Sequence, residues 1–118
     1  MKGLFLDDER IPSDVTWLTY AQGIEWIIVR TFDEFKAALE KGANVFDLIS
    51  FDHDIQDFDE HGVERDGYTC FKWLSELCLD TGRPPPVCIV HSKNPCGSEN
   101  IRCHYQNLCE YFRSTGAE

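Results

Sequence analysis

No run of apolar residues in this sequence is long enough to span a bilayer. The opening residues, MKGLFLDD, reach an acidic pair before an apolar segment of signal-peptide length has formed. We therefore expect a cytoplasmic protein without a membrane partner. Repeats and low-complexity linkers are also missing, and 118 residues with 42% apolar content suffice for one hydrophobic core. The whole chain, residues 1–118, is accordingly predicted to be a single domain.

Basic residues are scarce. Lys and Arg number 11 against 21 Asp and Glu, which gives a net charge of −10. Such a charge repels a phosphate backbone, so extended nucleic-acid binding is not expected. A small phosphate ester, a nucleotide or an RNA end can still bind where a cation bridges it to the acidic groups. The composition indicates no particular oligomeric state.

The six cysteines form no C-x-x-C pair, the spacing typical of zinc or redox sites. Most of them fall in stretches with an apolar period, which favours buried free thiols over disulfides or metal ligands.

Short apolar runs alternate with helical patterns along the chain. The runs predict strands at 3–6, 24–29, 48–51 and 87–90. A capping box at Thr31 and Glu34 opens a helix that stops near Gly42, and helical spacing continues at 67–79 and in a last helix carrying Ile101 to Phe112. Residues 10–23 are predicted to be a loop, with room for a short strand. This alternation predicts an α/β fold with a mostly parallel four-stranded sheet, whose ligands bind beyond the carboxyl ends of the strands.

Acidic side chains follow two of these strands: Asp7 and Asp8 after the first, Asp52 and Asp54 after the third. Four carboxylates at adjacent strand ends repel one another unless protons or a cation compensate. Oxygen-only ligands favour Mg²⁺ or Mn²⁺, so all four are predicted metal ligands. Alternatively, Asp8 and Asp54 are turn or cap residues and only two carboxylates face each other.

His91 follows the fourth strand directly, at the height of the acidic cluster, where it can act as a general acid or base. A structural histidine with satisfied hydrogen bonds is the alternative. His53 lies between two acids, and strand alternation would point it away from them, so a ligand and a bystander are equally favoured. His61 and His104 are predicted surface residues.

Polar residues after the fourth strand suggest a phosphate site. Ser92, Asn94 and Gly97 surround a tight turn that enters a helix, where free N–H groups make an anion nest, although a helix cap explains them nearly as well. Arg10 closely follows the acidic pair and is the best-placed cation for a phosphate. Two further basic residues are predicted in loops on the same side, Arg65 and Lys93.

The acidic pair after the first strand and the segment DLISFD at 47–52 resemble the response-regulator receiver fold. The resemblance implies a three-layer, flavodoxin-like sandwich with Asp7 and Asp8 as metal carboxylates and Asp52 at the phosphoacceptor position. Two features of that fold have no counterpart in the sequence pattern: the first crossover helix, and the fifth strand with its lysine.

Four segments more closely resemble the cyclic-phosphate processing receiver family, over residues 3 to 112: LFLDDER, FDHD, DGY and HSKNPxGxEN. The resemblance implies a metal-dependent site for phosphate esters, including cyclic phosphates such as RNA ends. Asn100, which ends the last segment, joins Ser92 and Asn94 as an expected substrate-binding residue.

The leading hypothesis is a phosphoesterase in which a cation activates water and His91 protonates the leaving oxygen. Asp52 acting as a nucleophile is an alternative chemical route. Two other functions remain open: a stand-alone receiver phosphorylated on Asp52, and a non-catalytic module that binds a nucleotide, an RNA end or a protein.

Overall fold

A computed structural model describes residues 1–115, in which a four-stranded, all-parallel sheet has the strand order β2-β1-β3-β4. The strands lie within one residue of their predicted bounds: β1 Lys2–Leu6, β2 Glu25–Val29, β3 Leu48–Phe51 and β4 Val87–Val90. Three α-helices follow: α1 Phe32–Ala38, α2 Gly67–Thr81 and α3 Pro95–Thr115. Two short 3-10 turns complete the architecture, Pro12–Asp14 and Ala43–Val45.

Two helix boundaries differ from the sequence prediction. α1 begins as predicted, with the Thr31 hydroxyl accepting from the N–H of Glu34, but it ends at Ala38 rather than near Gly42. α3 begins at Pro95, before the position expected, because proline suits the first position of a helix and Asn94 caps it.

All three helices cover one face of the sheet. Residues paired across β1, β3 and β4 send Leu6, Phe51 and Val90 to that face, where Phe35 of α1 and Phe71 of α2 pack against Phe51. These side chains are buried and belong to one hydrophobic cluster that also includes residues of α3. The core therefore lies between the sheet and the helices.

The opposite face is covered by the connection between β1 and β2, residues 7–24. Its Tyr20 packs edge-on against Trp26, and Trp26 packs edge-on against the buried Phe5. Within residues 10–23 a 3-10 turn forms, but the short strand allowed for by the sequence does not. This irregular segment is the third layer of the receiver-like sandwich, in the place where a first crossover helix would lie.

Gly67 allows α2 to approach the end of β3. A Cβ at position 67 would overlap the carbonyl oxygen of Asp52, and the N–H of Gly67 donates to the carbonyl of His53 at 2.7 Å. Asp66 caps the same helix by accepting from the N–H of Thr69. Asp66 and Gly67 of the DGY segment thus have a structural reason: they fix the start of α2 against the loop that follows β3.

The cysteine prediction is confirmed in part. All six cysteines are free thiols, and Cys70, Cys78 and Cys88 are buried. Cys96 and Cys103 are exposed because they lie on the outer side of α3. Among residues 1–115, no helix combines the length and apolar character that crossing a membrane requires.

Candidate functional site

A polar cavity of about 320 Å³ lies at the carboxyl ends of β1, β3 and β4. This is the edge of the sheet at which parallel α/β folds bind their ligands. Acidic and basic side chains share its walls, with residues from the loops after all three strands: Asp8, Glu9, Arg10, Asp52, Asp54, Gln56, Ser92, Lys93 and Asn94.

Asp7 lies completely buried beside this cavity. Its Oδ1 accepts the N–H groups of Glu9 and Arg10 at 3.0 and 2.9 Å, and its Oδ2 accepts from His91 Nε2 at 3.0 Å. Burial alone would raise its pKa, but the hydrogen bonds from His91 and the two backbone N–H groups outweigh burial and hold the pKa of Asp7 far below its usual value. Asp7 is therefore a fixed negative charge.

Asp52 is also buried, but it has fewer compensating partners. Its Oδ1 accepts from the N–H of His53 at 2.9 Å, and the Arg10 guanidinium is 4.0 Å from its Oδ2. Burial, followed by the negative charge of Asp7, raises the pKa of Asp52 to about 6. The interior of the site therefore carries more negative charge than the protein compensates.

This donor set fits a divalent cation. A carboxylate oxygen of Asp7 and one of Asp52 lie within 4.8 Å of each other. A ring nitrogen of His91 is equally near, but the two ring nitrogens of His91 are engaged by Asp7 and Ser50. Arg10 reaches toward the same point, since one guanidinium nitrogen is 3.3 Å from Asp7 Oδ2 and 4.0 Å from Asp52 Oδ2. The two carboxylates therefore already have a cationic group beside them, and carboxylate oxygens are the ligands that Mg²⁺ and Mn²⁺ prefer.

The other two acidic residues line the cavity from its rim. Asp8 is half-buried, and burial together with the charge of Asp7 raises its pKa. Asp54 is exposed, and hydrogen bonds from His53 and Asn94 lower its pKa. The structure thus brings two of the four predicted carboxylates together in the interior and leaves two at the entrance.

His91 is fully buried and does not line the cavity. Its Nε2 bonds Asp7, its Nδ1 lies 2.7 Å from Ser50 Oγ, and its ring stacks on Phe5 with a centroid separation of 4.4 Å. The Nε1–H of Trp17 donates to its carbonyl at 2.8 Å. Since both ring nitrogens are engaged inside the protein, the expectation that His91 directly protonates a leaving group does not fit its position.

His53 points toward acids, not away from them as strand alternation suggested. Its Nδ1 is 2.8 Å from Asp54 and its Nε2 is 3.4 Å from Asp66, while its ring leaves no space for a Cβ at Gly97. The alternation fails because β3 has already ended at Phe51. His53 therefore ties the loop after β3 to the starts of α2 and α3.

Two cations flank an aromatic ring next to the cavity. Arg10 and Lys93 lie over the ring of Trp17, at 5.4 and 4.3 Å from its centroid, and both line the cavity. The third predicted cation is elsewhere: Arg65 pairs with Asp57 and Asp33 beside α1 and does not line the cavity. Its loop folds back toward α1, which its sequence position does not reveal.

The polar residues after β4 divide between cavity and surface. Ser92 and Asn94 line the cavity, and Asn94 also caps α3, because its Oδ1 accepts from the N–H of Gly97 at 3.0 Å. Its amide nitrogen donates to Asp54. Asn100 is exposed on α3 and does not line the cavity. The helix-cap interpretation of Asn94 is therefore correct, while its side chain still faces the acidic rim.

Sequence reasoning missed several residues that shape this site. Ser50 is a polar residue inside the apolar run LISF, and that break in the pattern was an available signal. Tyr20 and Trp17 carry no comparable signal because they lie in an irregular segment. Arg30 holds the turn after β1 by donating to the carbonyl oxygens of Asp7 and Arg10.

The parallel sheet, the acidic pair after β1 and the aspartate after β3 define a receiver-like domain. The sequence profile of the cyclic-phosphate processing receiver domain matches residues 2–107. The chain therefore belongs to the cyclic-phosphate processing receiver family. It is also similar to the crystal structure of NtrX from Brucella abortus, with 19% identity and a TM-score of 0.49. That alignment covers 97% of this chain and 28% of the NtrX chain, so this chain spans less than a third of that protein. No curated protein matches it.

Proposed function

We propose that this receiver-like domain is a metal-dependent phosphoesterase that acts on a small phosphate ester: a cyclic phosphate, a nucleotide or an RNA end. One observation carries the proposal. Two buried carboxylates lie close together here, Asp52 in the wall of the cavity and Asp7 beside it, and the cation between them is the guanidinium of Arg10, at 3.3 Å from Asp7 Oδ2 and 4.0 Å from Asp52 Oδ2. Family membership supports the same class of ligand.

Asp7 and Asp52 would hold Mg²⁺ or Mn²⁺ in the interior. At the entrance, Asp8 and Asp54 would contact the cation directly or through its bound waters. A cation bound there would polarise a phosphoryl oxygen. Asp7 suits this position because its carboxyl group stays ionised and its orientation is fixed by four hydrogen bonds.

Arg10 and Lys93 supply positive charge for the phosphate itself. Both lie at the cavity, and the charged head of each lies over the ring of Trp17. Ser92 and Asn94 offer a hydroxyl and an amide on the same wall. The distribution of charge, acidic inside and basic at one side of the mouth, suits a metal-bridged phosphate better than a free anion.

Asp52 is the proposed catalytic residue, either as a base that activates water or as a nucleophile that attacks phosphorus. Asp52 lines the cavity, and within residues 1–115 the nearest cationic group to its Oδ2 is the guanidinium of Arg10, at 4.0 Å. Treatment with hydroxylamine during turnover distinguishes the two routes. Only the nucleophilic route forms an acyl phosphate on Asp52, and hydroxylamine cleaves acyl phosphates.

Burial of His91 favours a second candidate function, a non-catalytic binding module. Among residues 1–115 no histidine lines the cavity, so an imidazole group that could donate a proton to the leaving oxygen is missing there. The same cavity would then sequester a nucleotide or an RNA end through the cation, Arg10 and Lys93.

The deciding experiment follows 2′,3′-cyclic nucleotides and cyclic-phosphate-ended RNA by ³¹P NMR, with Mg²⁺, with Mn²⁺ and with chelator. Cation-dependent ring opening that is lost in Asp52→Asn, but retained in the exposed control Asp80→Asn, would support the phosphoesterase. Cation-dependent binding without ring opening would support the binding module. Stable labelling of Asp52 by acetyl phosphate would instead support a phosphorylatable receiver, and failure of all three would refute the metal site.

A further inference from the structure

A chain of four hydrogen-bonded polar side chains begins at Tyr20, in the irregular connection between β1 and β2, and ends at Asp7, a proposed metal ligand. The hydroxyl of Tyr20 is 2.7 Å from Ser50 Oγ, which is 2.7 Å from His91 Nδ1, and His91 Nε2 is 3.0 Å from Asp7 Oδ2. Ser50, His91 and Asp7 have no solvent exposure, while Tyr20 is half-buried. Each buried member therefore depends on its neighbours for hydrogen bonds.

The direction of every hydrogen bond in this chain follows from its buried end. Asp7 accepts from two backbone N–H groups and from the Arg10 guanidinium, so it is the acceptor of the bond from His91 as well, and the Nε2 of His91 carries the proton. In a neutral ring Nδ1 is then an acceptor, and the Ser50 hydroxyl must donate to it. The oxygen of Ser50 in turn accepts from the hydroxyl of Tyr20. The result is a single consistent direction, from Tyr20 to Asp7.

We propose that Tyr20 and Ser50 are positioning residues, which lock His91 as the Nε2–H tautomer and thereby hold Asp7 in the orientation that binds the cation. Hydrogen bonds behind a metal ligand commonly fix its rotamer in this way. The tautomer is inferred from the hydrogen-bond geometry, whereas the effect on cation affinity rests on the proposed function.

Stacking supports the same role. The ring of His91 is nearly parallel to that of Phe5, with an angle of 4° and a centroid separation of 4.4 Å. Stacking on Phe5 opposes tilting of the ring, and the hydrogen bonds with Ser50 and Asp7 decide which nitrogen carries the proton. A histidine that acted as a mobile proton donor to the cavity would need a freedom that this packing denies.

The molecule contains a matched control of the same residue types. Tyr68 and Ser75 both lie within 3.3 Å of the ring nitrogens of His104, between α2 and α3. This second cluster does not line the cavity. Tyr68→Phe and Ser75→Ala therefore remove the same groups as Tyr20→Phe and Ser50→Ala without touching the proposed site.

The tautomer is tested by long-range ¹H–¹⁵N correlation NMR of the histidine rings at neutral pH. In the wild type we expect Nε2 of His91 to be protonated and Nδ1 to be unprotonated, with and without Mg²⁺. In Ser50→Ala the Nδ1 resonance should move downfield, because an acceptor nitrogen has lost its donor. A protonated Nδ1 in the wild type, or loss of the Nε2 proton when Mg²⁺ is added, would overturn the proposal.

The effect on the cation is tested by Mn²⁺ titration, with electron paramagnetic resonance to measure free Mn²⁺. We expect Ser50→Ala to weaken Mn²⁺ binding about 10-fold, with a smaller loss in Tyr20→Phe and none in the two control variants. If the wild type binds Mn²⁺ and Ser50→Ala binds it with the same affinity, the positioning role is refuted and the proposed function is not. A wild type that binds no Mn²⁺ would refute the proposed function and the positioning role with it, and an equal loss in the controls would show general destabilisation instead.

Discussion

Replacing Asp52 with asparagine should stabilise the metal-free protein at neutral pH. The carboxylate is buried beside Asp7, and burial followed by the charge of Asp7 raises its pKa from 3.8 to about 6. A shift of that size corresponds to about 3 kcal/mol of lost folding free energy when the group is ionised. Asparagine keeps the size and still accepts from the N–H of His53. We expect a gain of about 1–3 kcal/mol.

The sign of the effect reverses for Asp7, whose pKa in the folded state is lowered, so that its ionised form stabilises the fold. That contribution is present above the unfolded pKa and is lost as the pH falls toward the folded pKa. Asp7→Asn leaves His91 and Arg10 without their anion and should cost about 2–4 kcal/mol at neutral pH. Two neighbouring carboxylates thus have opposite predicted effects.

Urea denaturation with chelator, at about pH 7.5 and about pH 4.5, measures both effects. The folded state binds a proton at Asp52 more tightly than the unfolded state does. Asp52 therefore destabilises the folded state increasingly as the pH rises from 3.8 to about 6. The gain from Asp52→Asn should therefore be largest at the higher pH and shrink at the lower. The exposed control Asp80→Asn should change stability by less than about 0.5 kcal/mol. A loss of stability in Asp52→Asn at neutral pH would refute the reasoning.

Three further predictions follow from the same geometry. Mg²⁺ or Mn²⁺ at about 100 times its Kd should stabilise the wild type by about 2.7 kcal/mol in thermal unfolding, and Asp52→Asn should lose most of that gain. Gly67→Ala should destabilise the protein by about 2 kcal/mol or more in urea, because its Cβ overlaps the Asp52 carbonyl oxygen; a neutral effect would contradict the packing of α2. Burial raises the pKa of the thiols of Cys70, Cys78 and Cys88, which should react with a thiol reagent only after unfolding. The exposed thiols of Cys96 and Cys103 on α3 should react in the folded protein.

The strands were predictable from the sequence because each is a short apolar run bounded by turn or charged residues. The LISF and VCIV segments match β3 and β4 residue for residue. Their parallel arrangement follows from the helices between them, since parallel strands need long crossovers. The end of α1 was less predictable: apolar spacing continues to Leu39, but the last residues before Gly42 form a turn instead. Helix ends depend on local hydrogen bonds that composition does not encode.

Strand alternation explains why two of the four acidic residues are buried together. Phe5 and Ser50 are paired in register on the face opposite the helices. Asp7 lies two residues after Phe5 and Asp52 two residues after Ser50, so both side chains lie on that same face. Ile89 also pairs with Ser50, and His91, two residues after Ile89, therefore lies on this face too. Asp8 has the opposite parity and reaches the rim instead.

Whether that face is solvent or interior could not be read from periodicity. Alternation alone places Asp7, Asp52 and His91 on one side of the sheet, where a solvated edge would have left the histidine free to donate protons. The connection between β1 and β2 closes the face instead, and its contacts to His91 and Ser50 come from residues 74 and 30 positions away in sequence, Trp17 and Tyr20. A pattern of local residues carries no information about such a long-range cover. The surroundings of the site therefore depend on an irregular segment: removing the Tyr20 hydroxyl should alter the hydrogen bonds behind Asp7, a proposed metal ligand that Tyr20 does not contact.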